Sequence, residues 1–216
     1  MKTIAADLII FDLDGTLVDS SHDIAHAANR TLELMGYIGL DIERIKADIG
    51  WGVKVLLERL MPSEPPERIA SARRSFLEFY GERLVVETTV YPGVRQTLDG
   101  FAALGKKMAV VTNKPETLTR RLLDEMDLSR YFRAVVGGDT LAVRKPSPEP
   151  VQAAIKAAGG ANEAAVMVGD SPVDAEAGGA AGIFTIGMTY GYRGKEELTG
   201  FDILLNSFSE LKDVIR

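Results

Sequence analysis

Asp12-Leu13-Asp14-Gly15-Thr16 sets two carboxylates, a glycine and a hydroxyl at the end of the apolar run Leu8-Ile9-Ile10-Phe11. Desolvating carboxylates beside a buried strand is costly unless a cation or a reaction holds them there. Three later segments have the same form. Val110-Val111 runs into Thr112-Asn113-Lys114, and Val135-Val136-Gly137-Gly138-Asp139 is followed by Arg144-Lys145-Pro146. Val166-Met167-Val168 runs into Gly169-Asp170-Ser171 and then Asp174. In a parallel sheet these polar ends point the same way and converge. Converging aspartates repel one another and call for a hard cation with oxygen ligands. Mg²⁺ suits, because it takes a few carboxylates together with waters and a substrate phosphate. Lys145 and Thr112, on the opposite side, offer a charge and a hydroxyl to a phosphoryl group. A carboxylate in that setting can attack phosphorus and form an aspartyl-phosphate, while a neighbouring carboxyl protonates the leaving oxygen and later activates water.

The elements that must hold these ends are legible in outline. Short apolar runs recur at 8–13, 108–112, 134–137, 165–169, 183–187 and 203–205, as strands buried on both faces should. Helical stripes lie between them. Val94, Leu98, Phe101 and Leu104 share a face before Gly105; Leu118, Leu122 and Met126 follow Pro115; Val151, Ala154, Ile155 and Ala158 precede Gly159-Gly160. The alternation predicts right-handed crossovers and an α/β, Rossmann-like parallel sheet. Residues 19–86 break the rhythm with no convincing strand and three stripes: Ile24, Ala28, Leu32, Met35; Val53, Leu56, Leu57, Leu60; and Ile69, Ala72, Phe76, Tyr80. The division expected is an α/β catalytic core of 1–18 plus 87–216 and an inserted helical cap of 19–86. Ligands of open α/β sheets bind beyond the strand ends, where such a cap can close and exclude water.

The chain has 216 residues, of which 46% are hydrophobic and 26% charged, so a sizeable core is available. Its formal charge of −6 disfavours nonspecific nucleic-acid binding. With no cysteine, thiolate catalysis, disulfides and zinc–thiolate sites are excluded together. No signal peptide and no apolar stretch of membrane-spanning length stand out, so the expectation is a soluble, cytoplasmic protein. The partner expected is a small phosphorylated metabolite, with no nucleic acid and no membrane, and the chain is expected to be a monomer or homodimer.

The order of motifs resembles the haloacid dehalogenase superfamily, in its phosphatase branch. The Asp-x-Asp-Gly-Thr of motif one is matched by Asp12–Thr16, and the strand-terminal Thr of motif two by Thr112. The lysine of motif three is matched by Lys145, and the Gly-Asp-Ser-x-x-Asp of motif four by Gly169–Asp174. The likeness spans essentially the whole chain, and the insert sits where type one caps lie. By resemblance, Asp12 is the nucleophile and Asp14 the general acid/base. Mg²⁺ would be held by Asp12, the main-chain carbonyl of Asp14 and Asp170. Thr112, Asn113 and Lys145 would bind the phosphoryl group, and Asp174 would support the metal through water or orient Lys145. Gly15 permits a sharp turn that Thr16 pins, and Ser171 supports the fourth motif. Within the superfamily the chain is most similar to phosphoglycolate phosphatases, in Val90-Tyr91-Pro92-Gly93, Thr112-Asn113-Lys114-Pro115 and Thr189-Tyr190-Gly191-Tyr192. The cap loop Gly50-Trp51-Gly52 is the candidate contact for the leaving group, with Trp51 larger than that place usually holds.

Other readings remain open from sequence. A pyrophosphatase, a sugar-phosphate phosphatase or a mutase would keep the chemistry and change the substrate. A non-catalytic regulatory protein phosphorylated on aspartate would keep the pocket and lose the turnover, although it needs no cap. Dehalogenation needs no Mg²⁺ and leaves the acidic cluster unneutralised. His22 and His26 stand four apart, a spacing that can bind metal, but with no third ligand they read as exposed helix residues.

Overall fold

The structure is a computed structural model and describes residues 3–216. The chain runs β1 (Leu8–Phe11), β2 (Val18–Asp19), then helices α1 (Ser21–Leu34), α2 (Ile42–Lys46), α3 (Val53–Leu60) and α4 (Pro66–Glu82). It continues through β3 (Thr89–Val90), α5 (Val94–Ala103), β4 (Lys107–Val111), α6 (Glu116–Glu125), β5 (Ala134–Val136) and α7 (Glu149–Ala158). It closes with β6 (Ala165–Gly169), α8 (Pro172–Ala180), β7 (Phe184–Met188), β8 (Ile203–Leu205) and α9 (Leu211–Val214).

Six strands form one parallel sheet in the order β5-β4-β1-β6-β7-β8. The fold is α/β, as the alternation of runs and stripes predicts. Successive side chains of β1 divide between two cores, because strand periodicity is two. Leu8 and Ile10 pack with Val151, Ile155 and Met167 on one face. Ile9 and Phe11 pack with Leu98, Phe101, Leu122 and Phe208 on the other. Covering both faces is what makes the strands near-continuously apolar.

Register then decides where the polar ends lie. Phe11 pairs with Val110 on β4 and with Val168 on β6, so Asp12, Thr112 and Asp170 emerge within a residue or two of one level. From β1 the sheet is filled through β4 and β5 on one side and then through β6, β7 and β8 on the other, and the crevice at that switch point is where open α/β sheets bind ligands.

The insert is helical from α1 to α4, but three details differ from expectation. Asp19 belongs to β2, which pairs antiparallel with β3 through Val18↔Val90 and Asp19↔Thr89. A two-residue ribbon carries no alternation to read. The short α2 has only Ile45 buried, too little for a stripe. Leu104 lies past the end of α5 and is 70% exposed instead of joining its buried face.

At the root of the insert, the fully buried Asp23 accepts hydrogen bonds from the N–H groups of Glu87 and Thr88 at 2.9 and 2.8 Å, and from Thr88 Oγ1 at 2.8 Å. Arg83 Nε lies 3.3 Å from its other oxygen. Asp23→Ala removes the acceptor shared by three donors, two of them on buried Thr88, and is expected to cost about 2–4 kcal/mol in urea unfolding. A loss below about 0.5 kcal/mol would show that this tie is dispensable.

Candidate active site

The floor is built on Lys145, which is 2% exposed despite lying in a proline-rich loop. Its Nζ donates to Asp174 Oδ1 at 2.6 Å and to the Val111 carbonyl at 2.7 Å, and lies 2.8 Å from Asp12 Oδ1. Asp174 sits in the first turn of α8, where its Oδ2 accepts from the Ser171 N–H at 3.1 Å and from Ser171 Oγ at 2.9 Å. Ser171 and Asp174 thus cap α8 and fix the lysine at once. Gly169 allows that turn to approach, since a Cβ there would overlap the Asp174 side chain.

Asp170 is gripped from two sides. Thr16 Oγ1 donates to its Oδ1 at 3.1 Å and the Tyr192 N–H to its Oδ2 at 2.8 Å. Thr16 therefore serves Asp170 through its hydroxyl, while its N–H joins those of Leu17 and Val18 on the Leu13 carbonyl to close the turn. Gly15 has φ +88°, and a Cβ there would strike the Asp170 carboxylate. Positive φ and close approach both require glycine.

Burial pushes the Asp12 carboxyl up to about 7, with Lys145 opposing and Asp174 and Asp14 adding to the shift. Burial likewise pushes Asp170 up to about 8, reinforced by Asp12 and Asp174. Four buried carboxylates, Asp12, Asp14, Asp170 and Asp174, face two buried ammonium groups, Lys114 and Lys145. Buried Arg193 acts on Asp170 as well, and with every carboxylate ionised the set is still one positive charge short. Oxygen atoms of Asp12, Asp170 and Asp174 lie within 4.8 Å of one another, with Asp12 Oδ1 paired to the Lys145 ammonium at 2.8 Å. A hard divalent cation fits this donor set.

Asp14 points to a different neighbourhood. Ser20 Oγ donates to its Oδ1 at 2.5 Å, and Lys114 Nζ pairs with the same oxygen. The lysine also donates to the Tyr80 hydroxyl of α4 at 2.7 Å. Burial lowers the affinity of Lys114 for its proton, but Asp14 and Tyr80 outweigh it and hold the ammonium above its ordinary value.

Between floor and insert lies a cleft whose upper wall is Ile24, Ile49, Val53, Leu56, Phe76 and Tyr80. Gly50 and Gly52 line it; Trp51 does not. The indole is half-buried against Arg59, whose guanidinium lies 4.8 Å from the ring, and Arg59 joins Arg44 on Asp48. Asn113 bridges the two halves, its Nδ2 donating to the Gly50 carbonyl at 2.9 Å and the Lys145 carbonyl at 3.0 Å. That use fully occupies its amide donors. Arg193, one residue beyond Tyr192, donates to the carbonyls of Lys46 at 3.1 Å and of Ile49. The segment that grips Asp170 therefore also grips the insert.

The structure thus brings Asp12, Asp14, Thr112, Asn113, Lys145, Asp170 and Asp174 to one crevice, with Gly15, Thr16 and Ser171 bracing them. It adds Lys114, Tyr80, Ser20, Tyr192 and Arg193. Lys114 had a signal, standing beside Thr112 at a strand end. Tyr80 had a weaker one, a hydroxyl closing an otherwise apolar stripe, which must find a partner when buried. Tyr192 stood in the Thr189–Tyr192 stretch that carries the resemblance, without a role; Ser20 and Arg193 had no signal, since their partners are set by tertiary approach alone. His22 and His26 are exposed on α1, with His22 Nδ1 3.5 Å from Glu87. Among the described residues no helix is long and apolar enough to cross a membrane.

Comparison with known proteins agrees with this geometry. The family model described as haloacid dehalogenase-like hydrolase matches residues 9–188. The phosphoglycolate phosphatase of Chromobacterium violaceum is 41% identical, covering 96% of each chain. That of Aquifex aeolicus is also 41% identical, covering 86% of this chain and 85% of its own. A crystal structure from Haemophilus somnus, described as a predicted phosphoglycolate phosphatase, superimposes with a TM-score of 0.87 at 30% identity over 97% of each chain. With its six-stranded parallel sheet and an acidic crevice at the switch point, the chain belongs to the haloacid dehalogenase-like hydrolases, and it is a phosphatase.

Proposed function

We propose that the chain is a Mg²⁺-dependent phosphomonoesterase that converts 2-phosphoglycolate to glycolate and phosphate through an aspartyl-phosphate on Asp12. The observation that carries the reading is Asp12 itself: buried, oriented by Lys145 at 2.8 Å from its Oδ1, and lining the cleft beside Asp14 and Thr112. That oxygen forms the new bond to phosphorus as the ester P–O bond breaks. Asp14, a carboxylate paired with Lys114 before substrate arrives, takes up a proton with the incoming phosphate monoester and gives it to the departing glycolate oxygen. It then takes a proton from the water that attacks the phospho-aspartate, releasing phosphate and restoring the Asp12 carboxylate. Thr112 and Lys145 face the phosphoryl oxygens, while the insert keeps bulk water out. Mg²⁺, held by Asp12, Asp170 and the Asp14 carbonyl with Asp174 behind them, would neutralise charge on the phosphoryl group.

Residues 19–86 act in this reading as a cap over a core of 1–18 plus 87–216, and the setting is cytoplasmic. The substrate rests on the two relatives named phosphoglycolate phosphatase. A panel of phosphate esters with pyrophosphate included tests it. The expected outcome is the highest kcat/KM for 2-phosphoglycolate and loss of turnover with a chelator. A higher value for pyrophosphate or a sugar phosphate would remove the substrate and leave the chemistry.

The raised carboxyls give a second test. In the metal-free protein Asp12 and Asp170 keep their protons up to about pH 7 and 8, and a cation binds the deprotonated forms. Mg²⁺ binding at pH 7 should therefore release protons, and its affinity should fall as pH drops from 8 to 6. Calorimetry in buffers of different ionisation enthalpy reads both effects. An affinity independent of pH over that window would contradict the charge arrangement.

A further inference from the structure

Lys114 is buried, lines the cleft, and is not consumed by the roles above. Among the described residues that line the cleft it is the sole basic one. Arg144 lies beside Gly52 but does not line the cleft, and four other cations nearby are committed elsewhere. Lys145 reaches Asp12, Asp174 and the Val111 carbonyl, Arg193 holds the carbonyls of Lys46 and Ile49, and Arg44 and Arg59 hold Asp48. The remaining upper wall is largely apolar. An ammonium has three N–H donors, and Lys114 spends two, on Asp14 and the Tyr80 hydroxyl.

We infer that Lys114, steadied by Tyr80 of α4, receives the carboxylate of the substrate and restricts it to phosphate esters of 2-hydroxy acids. This rests on the phosphatase reading and adds the residue that reads the leaving group. Asp14 must meet the ester oxygen to protonate it, and Lys114 touches Asp14. In a 2-hydroxy acid the hydroxyl and carboxylate oxygens are separated by two carbons, about one hydrogen-bond length. A substrate whose ester oxygen meets Asp14 therefore presents its carboxylate to the group bonded to Asp14. Without substrate, Lys114 neutralises Asp14. With substrate, the arriving carboxylate takes up the free donor and shares the ammonium. A neutral leaving group has nothing to offer that charge, and a sugar phosphate also carries hydroxyls toward an apolar wall.

The test compares 2-phosphoglycolate with ethyl phosphate, which has the same heavy-atom chain without the carboxylate, in wild type, Lys114→Met and Lys114→Arg. Wild type is expected to prefer 2-phosphoglycolate. Lys114→Met should lower that preference about 10- to 100-fold, chiefly by raising KM for 2-phosphoglycolate. KM for ethyl phosphate should stay in place, while kcat falls for both because Asp14 loses its neighbour. Lys114→Arg should keep most of the preference. A merely structural lysine would change both substrates in parallel. Should the methionine variant not fold, Lys114→Gln carries the same comparison. An unchanged preference in a folded, Mg²⁺-dependent variant overturns the role of Lys114 and leaves the 2-phosphoglycolate reading standing. A wild type that treats the two esters alike overturns both.

Discussion

Asp12→Asn is expected to lower kcat at least about 10⁴-fold while making the metal-free protein more stable. The loss follows because an amide is a poor nucleophile toward phosphorus and a poor ligand for a hard cation. The gain follows from the burial that pushes the Asp12 carboxyl up to about 7. In the unfolded chain the same group loses its proton near 4. The native state thus holds a proton that the unfolded state has released, and stability falls as pH rises between about 4 and 7. Above pH 7 the ionised Asp12 is a net burden on the fold, and asparagine removes it. Lys145 is not stranded, because Asp174 still holds it at 2.6 Å. Thermal unfolding at pH 8 in chelator should show a higher Tm for Asp12→Asn, with the advantage vanishing near pH 4. A lower Tm at pH 8 would mean that the Asp12–Lys145 pair is worth more than the desolvation it imposes.

Lys145→Met is expected to damage both properties. It removes the ammonium from between Asp12 and Asp174 and leaves two buried carboxylates facing each other with the Val111 carbonyl unpaired. Breaking one partner out of a buried ion pair costs about 3–5 kcal/mol. Turnover should fall about 10³-fold or more, since the phosphoryl group loses a facing charge and Asp12 loses its orientation. The double variant Asp12→Asn/Lys145→Met separates the two effects. It should recover part of the stability, because one of the stranded carboxylates is gone, and none of the activity. Lys145→Met within about 1 kcal/mol of wild type in urea would refute the view that this lysine holds the acidic cluster together.

The chemistry was more legible than its support, and the reason is physical. Asp12, Thr112, Lys145 and Asp170 stand directly after apolar runs, so strand direction alone predicts that they meet. The buried stripe Ile69, Ala72, Phe76 and Tyr80 is equally plain, because a helix facing a core must repeat its apolar positions every three or four residues. Ser20, Tyr192 and Arg193 obey no such period. The Ser20 N–H meets the Tyr192 hydroxyl 172 residues away, a pairing fixed only when insert and sheet approach. Trp51 shows the opposite error. Its glycine neighbours suggested a contact with substrate, whereas its size and flat face found a guanidinium first. The ribbon of β2 and β3 was invisible for want of length.

That ribbon confines the passage between the sheet and the four helices to one place. Val18 and Asp19 leave the sheet side by side with Thr89 and Val90, so the four helices depart and return through one narrow doorway. Nothing in the hydrogen-bond pattern of the six-stranded sheet depends on what hangs from that doorway. The helices between β2 and β3 can therefore change in length or orientation without altering a single pairing of the sheet.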